Sequence, residues 1–276
     1  MPNPIADPLV EGLDSDTISK LVLLDATAEG VATVTLNSPS TKNAFDAEVI
    51  GALHEVFETL KDSEVRIVFV QGAGGTFSAG ANLEWMARAA ELSEHDNRED
   101  ALAMARMLKQ LSDLPALTVA LVEGGAYGGG AGLAAACDIA IANPGAKFSF
   151  SEVRLGIIPA AISPHVIRAI GPRHAKALFA TGRIFDANHA QAIGLVAEVT
   201  ADLAAAKARL SAEIMACAPG AVAEAKELVD DFYGLPIDNA LLEETARRIA
   251  KARVGKEGQE GVRAFLAKQK PSWAAD

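Results

Sequence analysis

The chain has 276 residues, half of them hydrophobic and 22% charged, a composition typical of a globular protein with a substantial core. Its net charge of −11 argues against non-specific binding of nucleic acid. No apolar run reaches the ~20 residues of a membrane span, and no secretory signal pattern opens the chain. Cys137 and Cys217 match no metal or redox spacing, so a reducing, cytoplasmic location is expected.

The first part of the chain predicts alternating strands and helices. Residues 1–20, rich in proline and aspartate, predict a loosely ordered lead-in. The β-type runs Leu21–Asp25 and Val31–Leu36 predict a hairpin. Apolar residues at helical spacing predict a helix over Asn43–Lys61, and Val65–Val70 predicts a short buried strand.

Further along, residues 83–114 predict a helical segment with a polar break near residues 93–100. The next predicted elements, in chain order, are a strand at Leu117–Val122, a helix after the glycine-rich residues 124–132, and extended segments at Cys137–Ala142 and Phe148–Phe150. This alternation predicts an α/β core domain over residues 21–200, with parallel strands buried on both faces.

After Pro159 the pattern is helical, and residues 201–276 are expected to form a helical C-terminal region. The predicted helices are Ile162–Ile170, Pro172–Ala180, Asp186–Ile193, Leu203–Ala216, Ala221–Phe232, Leu235–Val254 and Gly258–Lys270.

Two loops of small residues follow predicted strands. Residues 124–132 contain six glycines, which cost conformational entropy on folding. Either a tight packing joint or a ligand lying against the backbone explains such a stretch. Ala79-Gly80-Ala81 is the second loop. Both open at the carboxyl ends of strands, where ligands bind in α/β sheets. Two converging N–H groups there would form an oxyanion hole for an acyl oxygen.

Glu152 is the candidate proton carrier beside such a hole. We expect apolar neighbours, including Phe148, Phe150, Leu155 and Ile157, to raise the pKa of its carboxyl and suit it to carry a proton. Taken by itself, a solvated loop glutamate would be the simpler interpretation.

Other kinds of site have weaker support. Residues 76–80 resemble a nucleophile elbow, but Thr76 occupies the first glycine position. Gly72-Ala73-Gly74 begins like a dinucleotide fingerprint that Phe77 then interrupts. The histidines are scattered, so no metal site is expected. His165, near the Glu152 turn, is a weak site candidate.

Three segments together resemble the enoyl-CoA hydratase/isomerase (crotonase) family over about residues 20–270. They are residues 77–83 (FSAGANL), residues 124–132 (GGAYGGGAG) and residues 151–159 (SEVRLGIIP), with Asn37-Ser38-Pro39 and Asn43-Ala44 before them. The resemblance implies a core of stacked ββα units, a helical C-terminal trimerisation region, and a homotrimer or dimer of trimers. It also implies acyl-CoA thioester substrates, an enolate intermediate and no cofactor, since coenzyme A is part of the substrate.

The resemblance also implies roles for individual residues. Ala81 and Gly129 match the family's two oxyanion-hole donors, and Glu152 matches one of its two catalytic glutamates. The residues that match positions contacting the CoA or the acyl group are Thr41, Lys42, Asn43, Ala79, Gly80, Asn82, Leu83, Tyr127, Gly128, Gly132, Phe265 and Lys268. The last two match positions that reach the CoA of a neighbouring subunit.

The sequence departs from the family pattern at Gly132, where typical hydratases have their second glutamate. Asn82 likewise replaces a frequent aspartate. A single carboxylate suffices to move a proton between C2 and C4, which favours a 3-enoyl-CoA isomerase. Hydration ordinarily uses two.

A closer resemblance favours hydration. Residues 77–86 and 151–168 look like the bacterial 3-methylglutaconyl-CoA hydratases of leucine breakdown, which also carry glycine at the Gly132 position. Arg154 or Arg168 could bind the second carboxylate of that substrate, although structural roles fit both better. The first prediction is therefore hydration of a branched 2-enoyl-CoA. The isomerase is the alternative, and a non-catalytic acyl-CoA-binding protein is a third possibility.

Overall fold

The computed structural model describes residues 20–274. Of the predicted lead-in, residues 1–19 lie outside the described part of the chain. The strands are β1 (Val22–Ala26), β2 (Val31–Leu36), β3 (Ile67–Gly72), β4 (Leu117–Val122), β5 (Gly125–Tyr127), β6 (Ile139–Ala142), β7 (Lys147–Ser149), β8 (Phe185–Asp186) and β9 (Glu198–Val199).

Six strands form the central sheet, in the order β1-β2-β3-β4-β6-β9. β1 and β2 form the predicted antiparallel hairpin, and every other pair in this sheet is parallel. The parallel arrangement places the carboxyl ends of β3 and β4 at the same edge, which is where the two small-residue loops begin. The α/β prediction is confirmed.

A smaller sheet, in the order β5-β7-β8, lies next to this edge. The sequence did not predict β5, because its residues belong to the glycine-rich stretch. The strand forms because Gly125, Ala126 and Tyr127 pair in parallel with β7. A further bridge joins Ala126 to Ser78, so β5 connects the two loops.

The helices are α1 (Ala47–Lys61), α2 (Leu83–Ala89), α3 (Glu94–Ser112), α4 (Gly129–Ala136), α5 (Ser163–Thr181), α6 (Ala187–Ala192), α7 (Leu203–Met215), α8 (Pro219–Phe232), α9 (Asn239–Val254) and α10 (Lys256–Ala267). α1 begins later than predicted because the Asp46 side chain caps it, accepting a hydrogen bond from the Val49 N–H at 3.0 Å. The predicted break between two helices at residues 170–172 lies within α5, where Gly171 has φ 71°.

Apolar side chains cover both faces of the central sheet. The larger cluster joins one face to α1, α3, α4 and α5. The smaller cluster packs Ile67, Phe69 and Val119 against Leu210 and Ile214 of α7. The last helices differ, since α8 and α9 contain no fully buried residue. Their exposed apolar side chains, with those of α10 and the α8–α9 connection, are Leu228, Val229, Tyr233, Leu235, Ile237, Leu242, Ile249, Val254, Val262, Phe265 and Leu266.

Candidate active site

The two small-residue loops lie against each other. The Ser78 N–H donates to the Gly125 carbonyl at 2.9 Å, and the Tyr127 N–H donates to the Ser78 carbonyl at 3.0 Å. Glycine permits this approach: a methyl group on Gly80, which has φ +87°, would lie 2.8 Å from the Tyr127 carbonyl oxygen. A methyl group on Gly130 would lie 2.7 Å from Cβ of Ser78. The packing interpretation of the glycines is therefore correct for these positions.

The first open donor is the backbone N–H of Ala81. The Phe45 N–H donates to the Gly80 carbonyl at 2.7 Å, and the Phe45 carbonyl accepts from the Asn82 N–H at 2.7 Å. In such a parallel bridge the residue between the two bonded positions directs its own N–H to the opposite side. Among residues 20–274 the Ala81 N–H has no hydrogen-bond acceptor.

The second open donor is the N–H of Gly129, the first residue of α4. N–H groups in the first turn of a helix have no intrahelical acceptor, and within the described residues this one has no other. The preceding Gly128 turns the chain with φ +49° and donates its own N–H to the Ser149 carbonyl at 2.9 Å. The helix dipole also favours negative charge at this end. Ala81 and Gly129 thus offer unpaired donors from two touching loops, which suits an oxyanion.

Glu152 lies beside Gly128, the residue before the Gly129 donor, in a 3-10 turn over residues 152–155. Its Oε1 is 3.1 Å from the position that a methyl carbon on Gly128 would occupy. Its Oε2 is buried and has no hydrogen-bond partner within residues 20–274. Burial raises the pKa of the Glu152 carboxyl, against a smaller lowering by its own backbone N–H. A buried, unpaired carboxyl oxygen is suited to carry a proton.

The expected apolar surroundings of Glu152 are only partly present. Phe148 and Phe150 are buried in the core as predicted, but Leu155 and Ile157 are exposed. The prediction for these two side chains is wrong, because the 3-10 turn and the following loop direct them outward.

Gly132 has no space for a side chain. A methyl group there would lie 2.2 Å from Cγ2 and 2.6 Å from Cβ of Ile162, and Ile162 is itself buried. The position that the resemblance assigns to a second acid is therefore filled by an apolar side chain. Sequence reasoning missed Ile162, since it lies thirty positions from Gly132 and only folding brings the two together.

A surface cavity of about 470 Å³ opens beside Ala81. Its lining is Thr41, Lys42, Ala44, Ala79, Ala81, Asn82, Leu83 and Glu84. Five of the residues predicted to bind CoA or the acyl group therefore converge on one cavity next to an open donor. A cavity of this size suits a small-molecule site.

Other predicted site residues lie elsewhere. The buried side chain of Asn43 is directed into the protein and hydrogen-bonds to backbone groups. The Tyr127 ring lies against Gly125, where a methyl group would be 2.5 Å from Cε2. Phe265 of α10 is 81% exposed, and Lys268 ends that helix with φ 55°. The described chain does not bring these two residues to the cavity.

The weaker candidates have structural surroundings. Arg168 pairs with Asp230 at 2.9 Å, as the structural interpretation predicted. The Arg154 side chain packs beside Gly182. Burial, followed by the nearby charge of Arg168, lowers the pKa of His165. Within residues 20–274, no three His, Cys, Asp or Glu side chains form a metal-binding cluster. None of the helices in this range could cross a membrane.

Known proteins of one family match nearly the whole chain. The family model for enoyl-CoA hydratase/isomerase matches residues 26–276. A Thermus thermophilus protein, provisionally named an enoyl-CoA hydratase, is 36% identical over 247 residues, covering 87% of this chain and 96% of the relative. A Clostridium acetobutylicum short-chain-enoyl-CoA hydratase is 31% identical over 245 residues, covering 87% and 92%.

Solved structures give the same result for the fold. The crystal structure of an enoyl-CoA hydratase from Shewanella pealeana superposes with a TM-score of 0.90 at 37% identity, covering 96% of this chain and 98% of that one. The spiral core of stacked ββα units that the sequence resemblance implied is confirmed.

Proposed function

Because this chain belongs to the enoyl-CoA hydratase/isomerase family, we propose that it adds water reversibly to a branched 2-enoyl-CoA. The N–H groups of Ala81 and Gly129 hold the thioester oxygen, and Glu152 carries the proton. The observation that carries this proposal is the buried, unpaired Oε2 of Glu152 beside two open backbone donors. The hydratase names of the relatives support hydration.

One carboxylate is enough for the proton balance of hydration. As the water oxygen bonds to C3, a water proton passes to Glu152. The electron pair of the C2–C3 double bond shifts to C1–C2, and the carbonyl pair moves onto the thioester carbonyl oxygen to give an enolate. The two N–H donors stabilise this enolate. Glu152 then returns the proton to C2 and the carbonyl re-forms. A raised pKa helps Glu152 to hold the proton between the two steps.

3-Methylglutaconyl-CoA is the proposed substrate, which would place the enzyme in leucine degradation or, more broadly, in acyl-CoA and fatty acid metabolism. The support is the likeness of residues 77–86 and 151–168 to bacterial hydratases of that substrate. Thr41 and Lys42 line the cavity that would receive the CoA part. The reaction as written needs no metal or redox cofactor, and we place it in the cytoplasm.

A 3-enoyl-CoA to 2-enoyl-CoA isomerase is the second candidate. The packing of Ile162 against Gly132 favours it, since no second acid fits there. In this reaction Glu152 would take a proton from C2 of the 3-enoyl substrate and deliver it to C4, while the double bond moves from C3–C4 to C2–C3. A binding protein without turnover is the third candidate, and the retained Glu152 counts against it.

The exposed apolar side chains of α8–α10 support the proposed homotrimer or dimer of trimers. Large apolar patches at the surface mark interaction sites. Light scattering of the purified protein would give the mass of the assembly.

The deciding experiment is an assay of the purified protein with 3-methylglutaconyl-CoA, unbranched 2-enoyl-CoA and 3-enoyl-CoA thioesters. Loss of the conjugated enoyl absorbance indicates hydration, and its appearance from a 3-enoyl substrate indicates isomerisation. Glu152→Gln should lower kcat at least ~100-fold in either case. Glu55→Gln, on the exposed face of α1, is the matched control and should retain full activity. An active Glu152→Gln enzyme would contradict the mechanism.

A further inference from the structure

Asn43 is a buried amide whose hydrogen bonds all go to backbone groups. It is 1% exposed. Its Oδ1 accepts from the Ser38 N–H at 2.8 Å, and its Nδ2 donates to the carbonyls of Ala73 at 2.9 Å and Thr76 at 2.7 Å. Both amide hydrogens are therefore used. The side chain joins the loop before α1 to the turn that follows β3.

The backbone at this position also suits asparagine. Asn43 has φ +56° and the preceding Lys42 has φ +55°, the left-handed region in which asparagine is enriched among residues other than glycine. The space around the amide is closely filled, because a methyl group on Gly72 would lie 2.8 Å from Nδ2. The side chain and the backbone conformation together hold this segment in one position.

The segment that Asn43 holds is the one that pairs with the Ala81 loop. The Lys42 carbonyl accepts from the Ala79 N–H at 2.9 Å. Phe45, two residues after Asn43, forms the bridge to Ala81 through its bonds to Gly80 and Asn82. The open N–H of Ala81 lies on the other side of that bridge. Movement of the segment would therefore turn this donor.

We propose that Asn43 is a positioning residue for the reaction, fixing the direction of the Ala81 N–H through the paired segments 42–45 and 79–82. The inference rests on the proposed function, in which the N–H groups of Ala81 and Gly129 form the oxyanion hole. It gives Asn43 a different task from contact with CoA, since its amide is directed away from the cavity. Loss of one oxyanion donor lowers kcat by about 10²–10³-fold, so a misdirected donor should lower it at least ~10-fold.

Two variants separate the contributions of the side chain. Asn43→Gly tolerates the positive φ and removes the amide. Asn43→Asp keeps an acceptor for Ser38 but loses the two bonds to Ala73 and Thr76. Ser38→Ala is the matched control in the same loop, because the buried Ser38 hydroxyl has no partner within residues 20–274.

The readouts are kcat, KM, circular dichroism and the near-ultraviolet enolate band of bound acetoacetyl-CoA. Both Asn43 variants should fold, lose at least ~10-fold in kcat with KM within about 3-fold, and lose the enolate band. Ser38→Ala should match the wild type in all four.

Three outcomes would overturn the assignment. A retained enolate band with near-normal kcat would exclude a positioning role. A rise in KM at unchanged kcat would indicate contact with CoA instead. Failure of both variants to fold, while Ser38→Ala folds, would reduce Asn43 to a residue that stabilises the fold. Absence of the enolate band in the wild type itself would instead contradict the proposed oxyanion hole formed by Ala81 and Gly129.

Discussion

Gly129 and Gly132 lie three residues apart on α4, and they are glycine for different reasons. Gly129 begins the helix with an open N–H, and a methyl group there would lie 3.0 Å from the flexible end of Met104 and 3.1 Å from Cδ2 of Phe45. Gly132 lies inside the helix, where a methyl group would meet Ile162 at 2.2 Å. Within this one helix, glycine therefore leaves the backbone N–H accessible at Gly129 and permits close packing at Gly132.

Gly129→Pro tests the role of the Gly129 N–H, and we expect it to cause the largest loss of activity. Proline lacks the N–H but is tolerated at the first position of a helix. Steady-state kinetics should show kcat lowered by about 10²–10³-fold if this N–H holds the thioester oxygen.

Gly129→Ala is the control for that change, because it adds a methyl group and keeps the donor. It should retain clearly more activity than the proline variant because the N–H is kept, while the Met104 end and the Phe45 ring each yield by a few tenths of an ångström. Equal losses in the proline and alanine variants would show that space, and not the N–H, matters at Gly129.

Gly132→Glu tests the packed end. Overpacking a close-packed core typically lowers the free energy of unfolding by about 1–3 kcal/mol. A methyl group on Gly132 would lie 2.6 Å from Cβ of Ile162, an atom that moves only if the backbone moves. The midpoint of urea denaturation should therefore fall clearly below that of the wild type.

The double variant Gly132→Glu/Ile162→Ala should recover part of that loss, because removal of the isoleucine frees the space. Non-additivity in the double-mutant cycle would measure the contact. If the single variant were as stable as the wild type, the steric account of the missing second acid would be wrong.

The smallest expected effect is a pH dependence due to Glu152. Burial raises the pKa of this carboxyl above its ordinary value of 4.5, so the folded state binds its proton more tightly than the unfolded state does. The resulting stabilisation is fully present below pH 4.5 and is lost as the pH rises through the raised pKa. Glu152→Gln lacks this dependence.

Melting temperatures measured from about pH 4 to about pH 8 should therefore show the wild type losing stability relative to Glu152→Gln as the pH rises. The acidic limb of kcat/KM in the wild type should also lie above pH 4.5, because the base must be ionised. A constant difference in melting temperature across this range would contradict the raised pKa.

Local patterns predicted much of this protein. The hairpin, the strand before each loop and the helical last third follow from the period of apolar residues and the position of glycines. The same patterns indicated the two small-residue loops and Glu152, and the structure places Glu152 beside Gly128. The choice of Ala81 and Gly129 within those loops came from the family resemblance. Strand β5 was missed, because its pairing with β7 is a non-local contact that periodicity does not contain.

The sequence by itself determined where the backbone can be closely approached by other groups, because Gly128–Gly130 and Gly132 have no side chain to keep those groups away. Only the tertiary structure decided what approaches each one. Gly128 lies under Glu152, Gly130 lies against Ser78, and Gly132 lies under Ile162. The physical reason is that each partner is distant along the chain, so its identity depends on the packing of β5, α4 and the loop before α5.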